Sequence, residues 1–159
     1  MKPHEIQIIV THGAERLDVV RQLRYEVLRR PLKMPFEETL FAGDELPSTQ
    51  HWIALLGDTP VGCLTLLMPD STKIVSADSR IPVQLRGMAV SRQLQSKGIG
   101  GRLLTEVHKL AVRDAWHLWC NARETAVPFY ARNGWCVQGP PFDIPRIGTH
   151  FAMSWEPRE

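Results

Sequence analysis

At 159 residues, 43% apolar and 23% charged, the chain has the size of one domain, able to bury about 70% of its unfolded surface without disulfide or metal staples. The net charge of +2 is spread over interleaved basic and acidic residues, which argues against a nucleic-acid binder. No run approaches the roughly 20 apolar residues of a membrane span, and the first residues carry no long apolar stretch of the secretory kind. Three cysteines, Cys63, Cys120 and Cys136, form no C-x-x-C pair and lie in apolar, strand-like runs. That usage predicts buried, reduced thiols in a cytoplasmic protein.

In chain order, "EIQIIVT" (5–11) reads as a short strand. The next segment places Leu17, Val20, Leu23, Val27 and Leu28 at helical spacing, and Pro31 ends that helix. Residues 31–50 are irregular, with a short helix expected around 36–42, and form a candidate substrate wall. Two β-type runs, 51–56 and 60–68, flank the turn signal Gly57-Asp58 and predict a hairpin. After a polar loop (69–80), "IPVQLRGMAV" (81–90) reads as a strand with a bulge at Gly87. A helix is expected from about 98 to 115, a buried strand at 117–122, and a short helix at 124–134 capped by Gly134. Strands at 135–139 and 149–155 close the chain around the Pro-rich "PPFDIPRIG". The pattern predicts a mixed α/β fold of about seven strands, in a single domain over 1–159.

The stretch "SKGIGGRLL" concentrates Gly98, Gly100 and Gly101 where the helix begins. A helix start leaves backbone N–H groups without intrahelical partners, and missing Cβ atoms let a bulky anion approach them. The helix dipole, Lys97 and Arg102 add positive charge, so the turn suits a pyrophosphate. No Lys-Ser or Lys-Thr follows the glycines, as a Walker loop requires, and Leu103 stands where a dinucleotide fingerprint needs its third glycine. Tight helix–strand packing is the alternative use of the same glycines. His117 and Cys120 lie three apart in one strand and face opposite sides, so no metal site or paired nucleophile is read there.

"MAVSRQLQSKGIGGRLL" resembles the signature of the GNAT acyl-CoA-dependent N-acyltransferases, with Gln95, Gly98 and Gly100 in the signature positions. "LWCNARETAVPFYARNGW" is similar to the family's second block, filled by Asn121, Ala126, Phe129, Tyr130, Gly134 and Trp135. "LRYEVL" and the tail "PPFDIPRIGTHFAM" resemble the ElaA/YjcF-type branch, although Arg146 follows Pro145 and His150 comes a few residues late.

The resemblance implies a mostly antiparallel sheet with a central splay, flanked by about four helices. It implies acetyl-CoA as cosubstrate and no metal. Met88, Ala89 and Val90 would line the pantetheine. The pyrophosphate would sit on Gln95, Ser96, Lys97, Gly98, Ile99, Gly100 and Gly101, reinforced by Arg102, with Asn121 and Phe129 as further cofactor contacts. Tyr130 would protonate the leaving thiolate, since a phenol of pKa about 10 stays protonated above a thiol of about 8.5. An acceptor amine with pKa near 10.4 is only about one part in a thousand neutral at pH 7, so a base is expected. The candidates, in order, are Glu38, His150 and Glu26; Arg86 stands where some family members carry a Glu, and it suits an acidic acceptor or a nearby carboxylate. The implied reaction is direct acetyl transfer to a primary amine of a small molecule or peptide, and a homodimer is compatible with it. A non-catalytic acyl-CoA sensor is the alternative function.

Overall fold

A computed structural model of the chain describes residues 5–69 and 80–157. Its contacts divide into two compact units, one taking the chain up to Leu67 with Arg86–Thr105, the other Met68–Leu85 with Glu106 onward. The described residues form eight strands in a mixed, mostly antiparallel sheet, and three α-helices. Most of the expected 69–80 loop falls outside the described residues.

In the first unit, β1 (Ile6–His12) pairs antiparallel with β2 (Gln50–Leu56), and β2 with β3 (Thr59–Leu67). The β2–β3 hairpin turns at Gly57-Asp58, where Gly57 has φ +61°, the conformation that favours glycine. A bulge between Ala54 and Leu55 absorbs the register shift to Pro60. Helix α1 (Leu17–Arg24) packs on β3 and buries Leu17, Val20, Leu23 and Arg24. The apolar members of that stripe join Ile53, Leu55, Cys63 and Ala89 in one core.

The helix expected to run on toward Pro31 changes character after Arg24. It widens into a π turn at Tyr25–Arg29 and tightens into a 3-10 turn at Arg30–Leu32, which holds the proline. The helix expected at 36–42 is also a 3-10 turn, Phe36–Thr39. Strand β4 (Ile81–Val90) enters this unit with its second half, and Gly87 there has φ +63°. The first turns of α2 (Ile99–Asp114) approach β3 at Gly62, where a Cβ would stand 3.2 Å from Ile99 Cγ2 and 3.5 Å from Leu103 Cδ1. That close approach seats the helix start, with Ile99 and Leu103 buried beneath it.

In the second unit, Ile81–Gln84 of β4 runs parallel to Trp116–Trp119 of β5 (Trp116–Arg123). β5 pairs antiparallel with β8 (Gly148–Trp155), which also receives β6 (Cys136–Val137) and β7 (Phe142–Ile144). Alternate residues Leu118, Cys120 and Ala122 are buried, as a strand with one covered face requires. α3 (Val127–Arg132) starts with Pro128 in its first turn and leads into Gly134 at φ +90°.

Three expectations are corrected here. The Pro-rich segment contains a strand, β7, which raises the count from about seven to eight; a tight turn at Pro145–Ile147 with Arg146 at φ +69° folds it back on β8. The helices number three among the described residues rather than about four, because the segment at 36–42 makes only a 3-10 turn. Cys63 and Cys120 are buried as expected, but Cys136 is exposed, because β6 is a two-residue edge strand.

Candidate active site

The glycine turn begins where β4 ends. Ser91 N–H donates to the Val61 carbonyl at 2.8 Å, fixing the strand's exit, and a 3-10 turn at Arg92–Leu94 leads to Gln95. The Gln95 side-chain amide donates back to the Val90 carbonyl at 3.0 Å. Ser96 at φ +64° and Gly98 at φ +89° then turn the chain into α2.

The first α2 hydrogen bond runs from Arg102 N–H to the Gly98 carbonyl at 3.0 Å. The N–H groups of Gly98, Ile99, Gly100 and Gly101 therefore precede the first intrahelical donor, Arg102 N–H. No acidic residue lies in the first turn. A Cβ on Gly98 would meet no heavy atom within 4 Å, so the turn is open at Gly98, while Ile99 and Gly100 behind it are buried. Lys97 is exposed beside them and Arg102 half-buried. This arrangement can take a bulky oxyanion on backbone donors.

Upstream on β4, Ala89 is buried while Met88 and Val90 are half-buried. Gly87 lies against a buried ionic cluster. Arg24, fully buried, donates Nη1 to Asp44 Oδ2 at 2.7 Å and Nη2 to Asp44 Oδ1 at 3.2 Å. It also donates to the Thr39 carbonyl and Thr65 Oγ1, both at 2.8 Å. Its guanidinium stacks on Phe41 at 3.9 Å. A Cβ on Gly87 would stand 2.8 Å from Arg24 Nε and 3.2 Å from Phe41 Cε2, so only glycine lets the strand close on this guanidinium.

Arg86 donates from Nη2 to Asp44 Oδ1 at 3.1 Å and to the Ala42 carbonyl. His51, also fully buried, contacts Thr65 Oγ1 at 2.8 Å through Nδ1 and the Asp44 carbonyl at 3.0 Å through Nε2. Burial lowers the His51 pKa and keeps the ring neutral at pH 7. Burial pushes the Asp44 carboxyl up, but hydrogen bonding and charge from Arg24, with the Phe41 N–H and Arg86, carry it below the usual range.

In the second unit, Tyr130 is buried on α3, edge-on to Phe129 at 5.2 Å and tilted against Trp135 at 5.2 Å. Burial first, then the neighbouring Cys120, raises its phenol well above 10. The Cys120 thiol is itself pushed by burial up to about 12, so it is no thiolate nucleophile at pH 7. Trp135 Nε1 donates to His108 Nε2 at 3.0 Å, and the His108 ring stacks on Trp155 at 4.0 Å. Burial holds His108 down at about 4. Asn121 is exposed on β5 opposite Ala152, and Phe129 is half-buried. A groove of about 440 Å³ lies along His117, Cys136, Gln138, Ser154 and Glu156, with His117 Nδ1 at 2.6 Å from Glu156 Oε1.

The base candidates occupy three different settings. Glu26 is exposed on the π turn and accepts from Gln22 Nε2 at 3.1 Å. Glu38 is half-buried on its 3-10 turn, its backbone carbonyl accepting from Arg29 Nε at 3.0 Å. His150 is buried on β8, Nδ1 at 2.8 Å from the Gly148 carbonyl and the ring stacked on Phe142. Sequence reasoning named Arg86 but missed Arg24 and the full burial of Asp44 and His51. Arg24 lies four residues after Val20 on the buried stripe of α1, and that spacing was the available signal.

Residues 47–137 match the model of the acetyltransferase (GNAT) domain family. The uncharacterised N-acetyltransferase YitI of Bacillus subtilis is 31% identical over 132 residues, 81% of this chain and 87% of that protein. YjcF, an uncharacterised N-acetyltransferase of the same organism, is 27% identical over 134 residues, 83% of this chain and 86% of YjcF. The crystal structure of Escherichia coli ElaA shares the fold at a TM-score of 0.75 and 19% identity, covering 95% of this chain and 99% of ElaA. A glycine turn leading into a helix start free of acidic residues, on a mixed sheet of this order and with these relatives, leads to one assignment: the chain belongs to the GNAT family of acetyltransferases and is an N-acyltransferase.

Proposed function

We propose that the chain, as one domain over 1–159, moves an acetyl group from acetyl-CoA directly to a primary amine of a small molecule or peptide. The observation that carries this reading is the run of four N–H groups, Gly98–Gly101, ahead of the first intrahelical donor of α2, with open space at Gly98. In this reading they bind the pyrophosphate with Gln95, Ser96, Lys97 and Arg102. Met88, Ala89 and Val90 line the pantetheine, with Asn121 and Phe129 as further contacts, and backbone N–H groups of β4 polarise the thioester carbonyl as charge develops on its oxygen.

The attacking nitrogen bonds to the acyl carbon, the C–S bond breaks, and Tyr130 gives its proton to the departing thiolate. Burial holds the phenol protonated at pH 7, so its proton is present when the C–S bond breaks. The base that takes the amine proton is Glu38 in this reading, with His150 and Glu26 as the alternatives that a pH–rate profile of each replacement separates. Three free cysteines support a reducing, cytoplasmic setting, and a homodimer is compatible with the reading.

Purified protein is assayed with acetyl-CoA and a panel of amines for free-thiol release. Gly98→Val and Gly100→Val are expected to raise KM for acetyl-CoA at least about tenfold, the loss of one or two charge-assisted bonds. Tyr130→Phe is expected to lower kcat by about 10²–10⁴ while acetyl-CoA affinity holds. Absence of CoA binding at millimolar concentration, or glycine variants that bind as tightly as the parent, defeats the reading.

A further inference from the structure

Asp44 faces two guanidinium groups with one carboxylate. Its Oδ1 accepts from Arg24 Nη2 at 3.2 Å and Arg86 Nη2 at 3.1 Å; its Oδ2 accepts from Arg24 Nη1 and the Phe41 N–H, both at 2.7 Å. An ionised carboxylate offers about four lone-pair sites, so Asp44 has none left. Arg24 and Asp44 are sealed at 0% side-chain exposure and neutralise each other, and the His51 ring beside them is neutral. One positive charge is left over, and it rests on Arg86, whose side chain is 17% exposed.

Arg86 spends Nη2 on Asp44 and the Ala42 carbonyl. Its buried Nε–H has no acceptor among the described residues, and burial lowers its pKa. A half-buried cation with an unpartnered Nε–H, sharing its one carboxylate with Arg24 and set two residues before Met88 on the strand of the glycine turn, is an incomplete ion pair.

We propose that Arg86 receives a carboxylate carried by the acceptor, so that the preferred substrates are amines bearing a carboxylate, as free amino acids do. The proposal rests on the acetyl-transfer reading above and names its acceptor class. A carboxylate at Arg86 supplies the second negative charge and accepts from the outward part of the guanidinium. Arg24 and Asp44 hold Arg86 from behind, and the Phe41 ring lies 5.6 Å from it. A polyamine or amino sugar without an acid would leave that charge unbalanced and bring a second cation toward it.

The test compares amino acids with their decarboxylated amines, which share a side chain and differ in the acid alone. The parent enzyme is expected to favour the amino acid in kcat/KM by at least about tenfold, within the range of one charge-assisted hydrogen bond. Arg86→Gln is expected to lower that preference ratio by about 10- to 100-fold, and Arg86→Lys to restore part of it. The ratio cancels losses of folding or of acetyl-CoA affinity, which act on both acceptors alike. Turnover favouring decarboxylated amines, or a ratio unmoved by Arg86→Gln, overturns the proposal and leaves acetyl transfer standing. No thiol release with any amine overturns both. If Arg86→Gln does not fold, the parent's own ratio decides.

Discussion

In the unit that contains α1, the side chains sealed from solvent include Arg24, Asp44, His51 and Thr65, joined by hydrogen bonds of 2.7–3.2 Å. In the unit that contains β5 and β8, the interior is Tyr130, Trp135, Cys120 and Met153, and its titratable members are held neutral by burial. A buried ion pair contributes little net stability against an apolar replacement of the same volume, because desolvating both charges offsets their attraction. What it adds is direction. Arg24 can lie in one place only, between the Phe41 ring and Gly87, and that place sets the backbone of β4 just before Met88. The aromatic cluster has no such directional demand and is held by area and shape.

The largest effect that would break this contrast is expected at Arg24. Arg24→Ala removes a partner from a carboxylate at 0% exposure and is expected to cost about 3–5 kcal/mol in urea unfolding. Arg24→Met combined with Asp44→Leu is expected to regain part of that stability, since the fully buried pair leaves together and only the more exposed Arg86 loses a partner. If the double variant also keeps full activity, the cluster does not set the strand, and the contrast fails.

Next in size comes Gly87→Ala, which meets Arg24 Nε at 2.8 Å in a left-handed conformation and is expected to cost about 1–3 kcal/mol. Gly98→Ala has the same sign of φ but open space, so only the backbone penalty of about 1 kcal/mol is expected. Thermal unfolding of the two variants side by side separates packing from conformation. Equal losses would mean that Arg24 moves aside freely, and that the guanidinium does not hold Gly87 in its left-handed conformation.

The parts legible in the sequence were those with local causes. The Gly57-Asp58 hairpin follows from alternating apolar runs around a left-handed turn, and the helix at 99–114 from its apolar spacing behind the glycines. The special place of Gly87 was also readable, because a glycine inside a strand pattern marks a close approach, here with φ +63° and Arg24 and Phe41 against it. What approaches it was not readable. Arg24 and Asp44 are 20 residues apart, and only tertiary packing turns two ordinary surface residue types into one buried pair. β7 escaped notice for a different reason: three residues cannot display a period, and its evidence lies in the pairing with β8. Cys136 shares the composition of Cys63 and Cys120, and only its place on an edge strand exposes it.

The smallest expected effect tests the aromatic side of the contrast through pH. Burial holds His108 at about 4, against 6.5 in an unfolded chain. Between those values the unfolded state binds a proton that the folded state does not, so stability falls as pH drops from about 7 toward 4. His51 acts in the same direction, its pKa also lowered by burial. Asp44 titrates below 3.8 and stays outside a scan that stops at pH 4.5. His108→Gln keeps an acceptor for the Trp135 N–H and removes the titration. Its melting temperature is therefore expected to decline less between pH 7 and 4.5 than the parent's, with the His51 share of the slope remaining. Parallel slopes would mean that His108 takes up its proton while folded, in which case the Trp135 N–H does not hold Nε2 as an acceptor and the stacked ring on Trp155 is open to water.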